Sequence, residues 1–402
     1  MEIIREKYLN WLKAEKDTNY IKVITGIRRV GKTTILNQYR RLFVSENVID
    51  IDFNDARVAE QFDWRKLIDF VESKSKPNEV NYVFLDEVQE IKEFEKAVIT
   101  LFSHKKFKYD IYITGSNSKM FSAELVTLFS GRTSEIQVFP FDFNEICEIF
   151  FNHKTNEESL EKYLMQGGIG LVIPEYKDFN LVKKALVKIY ASCIKNDIKA
   201  RHTIRYSESL ERLCEYLFNN VGRKVSANNL ENYLVSNKEI KISKNTIINY
   251  FNWLCDAFLF YKIKYYDIRG KQIMKTKVKY YATDLGMLTL KTSSNIGFNK
   301  GFRLENAVLL KLLEDGYEVY TGEDELKHEI DFIVKKDNSI KYIQVCDELN
   351  NKNFERESRS LLSTKDAYDK FIITNSISVS QTLGIKILNL SDFLYGESKL
   401  DN

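Results

Sequence analysis

Along the first 140 residues, short apolar runs alternate with helix-patterned stretches. The runs are IKVITG, NVIDIDF, NYVFLDE, YDIYITG and SEIQVF, separated by segments such as WRKLIDFVESKSK. Strands alternating with helices predict a parallel sheet covered on both faces. From Phe141 to about Tyr206 the pattern is mostly helical, with a break at MQGGIGLVIPEY. From Ser207 to about Leu290, three helical stretches precede two β-rich runs, LFYKIKYYDI and MKTKVKYYATD, joined near Arg269 and Gly270 as a hairpin. The remainder opens with helical RLENAVLLKLLED, continues with strands YEVYTG, HEIDFIVKK and IKYIQVC, and closes with a helix and the strand FIITN. TSSNIGFNKG, residues 292–301, is Ser/Asn/Gly-rich between well-patterned segments and reads as a linker.

At roughly 100 to 200 residues per domain, the length of 402 implies more than one folded unit. The chain is 44% hydrophobic and 29% charged with only 3 prolines, which excludes disordered, Pro-rich and collagen-like classes. No apolar run approaches a membrane span, and MEIIREKYLNWLK carries charges where a signal peptide has its apolar core. A soluble cytoplasmic protein with no membrane partner is expected. Cys147, Cys193, Cys214, Cys255 and Cys346 are odd in number, widely spaced and without a CxxC pair, so buried thiols are expected rather than disulfides or zinc.

The first strand runs into Gly26-Ile27-Arg28-Arg29-Val30-Gly31-Lys32-Thr33, which fits G-x-x-x-x-G-K-[ST] without a mismatch, and an amphipathic helix beginning TTILNQYRRLF follows. Strand, glycine loop and helix N-terminus together aim backbone N–H groups at a phosphate. The nucleotide-binding set is therefore Gly26, Ile27, Arg28, Arg29, Val30, Gly31, Lys32, Thr33 and Thr34. Lys32 would reach the β- and γ-phosphate oxygens of ATP, and the Thr33 hydroxyl would ligate Mg²⁺. The third strand, NYVFLDE, delivers Asp86 to its C-terminal end as the second metal-site residue, with Glu87 as general base on the attacking water.

GIRRVGKT and VFLDE resemble the AAA+ ATPases. The resemblance implies a sensor residue at the end of the fourth strand, where Asn117 is the best match and Ser116 the alternative. It also implies that Arg132, in Ser130-Gly131-Arg132-Thr133, is a candidate arginine finger, which would require a homo-oligomer. With FPFDFNEI and YLMQGGIGLV, the first half looks like a branch of prokaryotic AAA+-like ATPases in which the P-loop domain precedes a lid, a winged helix and a nuclease-like domain. That branch usually has Gly-Gly-x-Pro in the lid, whereas this chain has Gly167-Gly168-Ile169-Gly170 and no proline until Pro174. The expected fold class is α/β: a P-loop NTPase parallel sheet with a helical lid, a winged helix-turn-helix and a restriction-endonuclease-like α/β domain. The expected boundaries are 1–140 for the ATPase core, 141–206 for the lid, 207–291 for the winged helix and 301–402 for the nuclease-like domain.

The formal net charge of +3 conceals opposites. Residues 243–281 carry a net +6 and residues 301–402 a net −6. The basic segment resembles a winged helix-turn-helix, with helices ESLERLCEYLFNN, SANNLENYLV and SKNTIINYFNWLCDAFLFY, Ser243 as N-cap of the third, and a β-wing from Tyr261 to Tyr281. Lys275, Lys277 and Lys279 alternate at period two and would form a comb for the phosphates of double-stranded DNA. Asn245, Thr246 and Asn249 would approach base edges. The alternative is a strand edge protected by lysines.

The acidic tail resembles the PD-(D/E)xK nuclease fold, with Glu305 on a helix, Asp331 in HEIDFIV and a following strand YIQVC. The expected (D/E)-x-K is here Gln344-Val345-Cys346, an amide and a thiol in place of a carboxylate and an ammonium. Glu305, Asp331 and Gln344 thus form a degenerate nuclease site, and an inactive interaction module is expected. Three functions remain open: an ATPase acting on DNA or a protein client, a slow-turnover nucleotide switch or scaffold, and an ATP-regulated nuclease.

Overall fold

The computed structural model describes residues 2–118, 129, 131–204, 206–226, 230, 242–292, 300–323, 328–364 and 366–401. The chain divides into two units. The first comprises Met1–Phe139 with the short segments Lys195–Asp197 and Asp256–Phe258; the second comprises Pro140–Ile194, Ile198–Cys255 and Leu259–Asn402.

In the first unit, β1 (Ile21–Thr25), β2 (Asn47–Asp52), β3 (Val80–Asp86), β4 (Lys108–Gly115) and β5 (Thr133–Gln137) pair in the order β2-β3-β4-β1-β5. Every pairing is parallel, as the alternation of strand and helix predicts. The near-continuous apolar strands reflect burial: all five residues of β1 and the last six of β3 are inaccessible. Val23, Val83, Leu85, Ile111 and Ile113 pack with Leu67, Val71, Val98 and Leu101 of the covering helices. Each such side chain is worth about 1.5–3 kcal/mol on full burial. Lys22 interrupts the apolar run of β1, and its ammonium is paired with Asp110 of β4, which keeps the buried charge from standing alone.

Helix boundaries follow local chemistry. Asp63 caps the helix Trp64–Lys74 by accepting from the amides of Arg65 and Lys66. In the second unit, the FPFDFNEI segment is a capping box: Asp142 accepts from the Glu145 amide at 2.8 Å, and Glu145 accepts from the Asp142 amide at 3.0 Å. The helices Phe143–Phe150, Glu157–Gln166 and Phe179–Ser192 follow, interrupted by a 3₁₀ stretch at Gly170–Glu175. The GGIG break has a structural cause. Gly168 lies so close to Phe141 that a Cβ there would be 2.0 Å from the Phe141 carbonyl oxygen. Its N–H donates to Asp284 at 2.8 Å.

Among its described residues the second unit holds an eight-stranded sheet. Its strands are β6 (Lys224–Val225), β7 (Phe260–Asp267), β8 (Gln272–Ala282), β9 (Glu318–Glu323), β10 (Glu329–Lys336), β11 (Ser339–Asn350), β12 (Asp369–Ser378) and β13 (Lys386–Asn389). The order is β13-β12-β11-β10-β9-β7-β8-β6. β7 and β8 form the expected antiparallel hairpin. β7 also pairs in parallel with β9, so the β7–β8 hairpin and the strands after residue 317 share a sheet across the expected linker. Of that linker, residues 293–299 lie outside the described residues, as do most of SANNLENYLV and Ser130. None of the five cysteines is in a disulfide, and Cys147, Cys193, Cys214 and Cys346 are buried. No helix among the described residues is long and apolar enough to cross a membrane.

Candidate nucleotide site

The loop after β1 wraps tightly. Gly26 has φ +143°, and a Cβ there would lie 2.4 Å from the Val138 carbonyl oxygen, so the first glycine of the motif is required by backbone approach. The helix Lys32–Arg40 begins directly after Gly31, which leaves the orphan N–H groups of its first turn at the loop. Ile27 and Val30 are buried and anchor the loop to the core, while Arg29 and Thr34 are exposed.

Lys32 turns back into the loop. Its ammonium donates to the Gly26 carbonyl at 3.1 Å and pairs with Glu87 at 3.2 Å. Thr33 donates its hydroxyl proton to Asp86 at 2.6 Å, and Asn54 also reaches Asp86 at 3.4 Å. Thr114 of β4 donates to the other Asp86 oxygen and accepts the Glu87 amide at 2.8 Å. Parallel pairing of β3 beside β4 makes that contact. Burial raises the Asp86 carboxyl above its ordinary value, opposed by the hydrogen bonds from Thr114 and Thr33. Burial would also raise Glu87, but the Lys32 ammonium, the Gln89 amide and Arg28 outweigh it and hold the carboxyl at about 2.

A second layer surrounds Glu87. Gln89 donates its side-chain N–H to Glu87 and approaches Ser116 Oγ at 3.5 Å. Ser116 donates to Asp197 at 2.7 Å, and Arg28 grips both oxygens of Asp197 at 2.9 Å each. Thus Ser116, the alternative sensor candidate, stands in this network, and Asn117 is buried next to it in sequence. Arg132 is exposed, with its guanidinium 3.4 Å from the Ser103 hydroxyl. Sequence reasoning did not select Thr114, Gln89, Asn54 or Asp197. Thr114 and Gln89 each lie two residues from a selected position, whereas Asp197 carries no local signal.

The donor set suits a Mg²⁺-nucleotide. One hydroxyl and one carboxylate converge at Thr33 and Asp86, a lysine sits in the loop, and backbone N–H groups begin a helix. Bound Mg²⁺ would neutralise phosphate charge. Among the described residues no group of three or more His, Cys, Asp or Glu is arranged to hold a metal ion.

In the second unit the basic comb takes a different form from the expectation. Lys279 is 1% exposed, and its ammonium pairs with Glu305 at 3.1 Å and with Glu329. Lys277 pairs with Glu323, and the Lys275 side chain lies outside the described residues. The expectation that Lys279 and Lys277 stand free for phosphates is therefore corrected: carboxylates of β9, β10 and the helix Lys300–Glu314 already hold them. Asn245 and Asn249 are exposed on the helix Lys244–Asp256, and Ser243 accepts the Thr246 amide at 3.2 Å as the expected N-cap.

Glu305 and Asp331 are both buried near Lys279. Tyr281 donates to Glu305, Asp331 accepts the Val345 amide at 2.9 Å, and the Asp331 backbone N–H approaches the Gln344 side-chain Oε1 at 3.4 Å. Burial and then the Glu305 charge raise Asp331 well above its ordinary value. Cys346 offers no ammonium and its thiol is pushed up to about 11 by burial. Lys279 of β8 places its ammonium beside Glu305 and Glu329.

A parallel sheet whose first strand feeds a glycine loop, with a hydroxyl and an acidic strand end opposite the loop lysine, defines a P-loop nucleotide-binding protein. Residues 18–147 match the family described as AAA domain, and residues 157–295 match a domain of unknown function. An uncharacterized protein of Haemophilus influenzae is 36% identical over 98% of this chain and 98% of its own length. An uncharacterized protein of Methanocaldococcus jannaschii is 30% identical over 93% of this chain and 83% of its own. Among solved structures, a Walker-type ATPase of Pyrococcus abyssi is 16% identical with a TM-score of 0.47, over 72% of this chain and 95% of that one. The chain belongs to the prokaryotic AAA+-like P-loop ATPases.

Proposed function

We propose that the protein hydrolyses ATP with Mg²⁺ and couples nucleotide state to a winged-helix and nuclease-like module that acts on double-stranded DNA or a protein client. The observation that supports hydrolysis is the position of Glu87, beside Lys32 and one residue after the Asp86 that faces Thr33. Glu87 polarises the attacking water, Asp86 and Thr33 hold the metal, and Lys32 stabilises charge on the transferred phosphoryl group. Lys32 exchanges its Glu87 partner for phosphate oxygens when ATP binds. That exchange raises the basicity of Glu87, because the ammonium is what chiefly holds its pKa down.

The same pairing favours a second reading. A carboxylate held at about 2 is a weak base, so a chain that fails to release Glu87 binds ATP and turns over slowly as a switch or scaffold. Asn245, Thr246, Asn249 and Lys275 remain the proposed DNA contacts, Asn117 and Arg132 the proposed sensor and finger, and a homo-oligomer the proposed active form. The division at 141–206, 207–291 and 301–402 into lid, winged helix and nuclease-like domain is part of the same proposal. Glu305, Asp331 and Gln344 are proposed as an inactive relic, since Gln344-Val345-Cys346 offers an amide and a thiol where the motif has a carboxylate and a lysine.

The test is the ATPase rate across protein concentration, with and without duplex DNA, for wild type, Lys32→Ala and Glu87→Gln. Lys32→Ala should abolish binding and turnover. Glu87→Gln should keep ATP affinity and lose turnover on the order of 10²-fold or more. Equal rates for wild type and Glu87→Gln would reject hydrolysis by this site and leave the switch.

A further inference from the structure

We propose that Asp197 is a positioning residue for ATP hydrolysis, acting on Glu87 through Ser116 and Gln89 while clamping the P-loop through Arg28; this rests on the ATPase reading above. The carboxylate is 1% exposed. Burying a carboxylate costs several kcal/mol unless it is paired and hydrogen-bonded. Asp197 meets that requirement with two oxygen–nitrogen contacts of 2.9 Å from one guanidinium, the planar two-point geometry that arginine matches best. The guanidinium belongs to Arg28, inside the nucleotide-binding loop itself.

The third contact sets a direction. Ser116 has one hydroxyl proton, and it goes to Asp197 at 2.7 Å. Its oxygen can then only accept from the Gln89 side-chain N–H group, which lies 3.5 Å away. Gln89 donates from that same nitrogen to Glu87. The amide is thereby held with nitrogen toward Ser116 and Glu87 and oxygen away from both. That oxygen, Gln89 Oε1, is buried and has no hydrogen-bond partner among the described residues. A buried acceptor on the residue that holds the general base is suited to accept a hydrogen bond from the attacking water while Glu87 takes its one transferred proton.

One carboxylate therefore fixes two things at once. Through Arg28 it restrains the loop that wraps the phosphates. Through Ser116 it fixes the rotor that orients Gln89, and Gln89 orients Glu87. Lys195–Asp197 belongs to the first unit although the chain on either side of it belongs to the second. Sequence proximity has no part in this: Arg28 and Asp197 are 169 positions apart.

The test is steady-state ATPase kinetics with nucleotide affinity and unfolding midpoints read on the same samples. Ser116→Ala removes only a hydroxyl and leaves the Arg28–Asp197 pair, so it is the variant expected to stay folded. It should lower kcat about tenfold or more, a part of the ~10²–10⁴ that a general base contributes, with KM within about twofold. Asp197→Ala should lower kcat at least as much and also raise KM, because the loop loses its clamp. The double variant should be no slower than Asp197→Ala alone, since both act through one chain. Unchanged kcat in folded Ser116→Ala, or losses that multiply in the double variant, would overturn the assignment and leave the ATPase reading intact. A wild-type chain no faster than Lys32→Ala would overturn both together.

Discussion

Lys279→Met tests whether the second unit is held by a buried charge network or presents a phosphate-binding comb. The substitution keeps the unbranched stem and removes the ammonium. In the native protein that ammonium lies 3.1 Å from Glu305, contacts Glu329, and is buried with both Glu305 and Asp331. At that separation and an effective dielectric of about 20, the attraction to Glu305 alone is about 5 kcal/mol before desolvation. Burial opposes the charge on Lys279, but the carboxylates prevail and its pKa stands well above the ordinary value. Deleting one member of a buried pair costs about 3–5 kcal/mol, because the abandoned charge stays inside. At roughly 2–4 °C per kcal/mol for a unit of this size, the midpoint should fall by about 10 °C. The measurement is calorimetry or urea unfolding of the full chain between pH 5 and 8. The loss should shrink toward pH 5, where the abandoned carboxyls can take up protons, and Glu305→Gln in the same chain should restore part of it. A Lys279→Met protein within about 1 kcal/mol of wild type at every pH would refute the reasoning. A flattened salt dependence of DNA binding with unchanged stability would return Lys279 to the comb.

Two further outcomes follow from the helical part of the second unit. Gly168→Ala should destabilise by about 3 kcal/mol, since its Cβ would meet the Phe141 carbonyl oxygen at 2.0 Å; a denaturation midpoint equal to wild type would deny the close approach. Burial pushes Asp284 up to about 6, against the backbone N–H groups of Gly168, Met287, Gly286 and Ile169 that pull it down. A folded-state value above the unfolded one gives stability that is complete below about pH 4 and lost as pH rises through about 6. Wild type should therefore lose more stability between pH 5 and 7 than Asp284→Asn, and parallel pH profiles for the two would contradict the raised pKa.

The five strands of the first sheet, the loop Gly26–Lys32 and the acidic end of β3 were legible because each is a local signal: an apolar run, a fixed spacing, a strand end. The same holds for the capping box at Asp142 and Glu145, whose two bonds span three residues. The candidate nucleotide site was therefore readable from neighbouring residues. Its second layer was not, since Thr114 reaches Asp86 only because β3 and β4 pair in register. The lysine comb misled because period two in a strand predicts a shared side and says nothing of what faces it; carboxylates from β9, β10 and a preceding helix do.

By itself, then, the sequence determined a parallel-sheet nucleotide fold and the identities of Lys32, Thr33, Asp86 and Glu87 within it. Only the tertiary structure decided that Arg28 is clamped by Asp197, that Ser116 and Gln89 join that clamp to Glu87, and that Lys279 serves Glu305 and Glu329. The physical reason is range. Backbone propensity and motif spacing act over a few residues, whereas buried charges are satisfied by whichever opposite charge the packed chain brings to them.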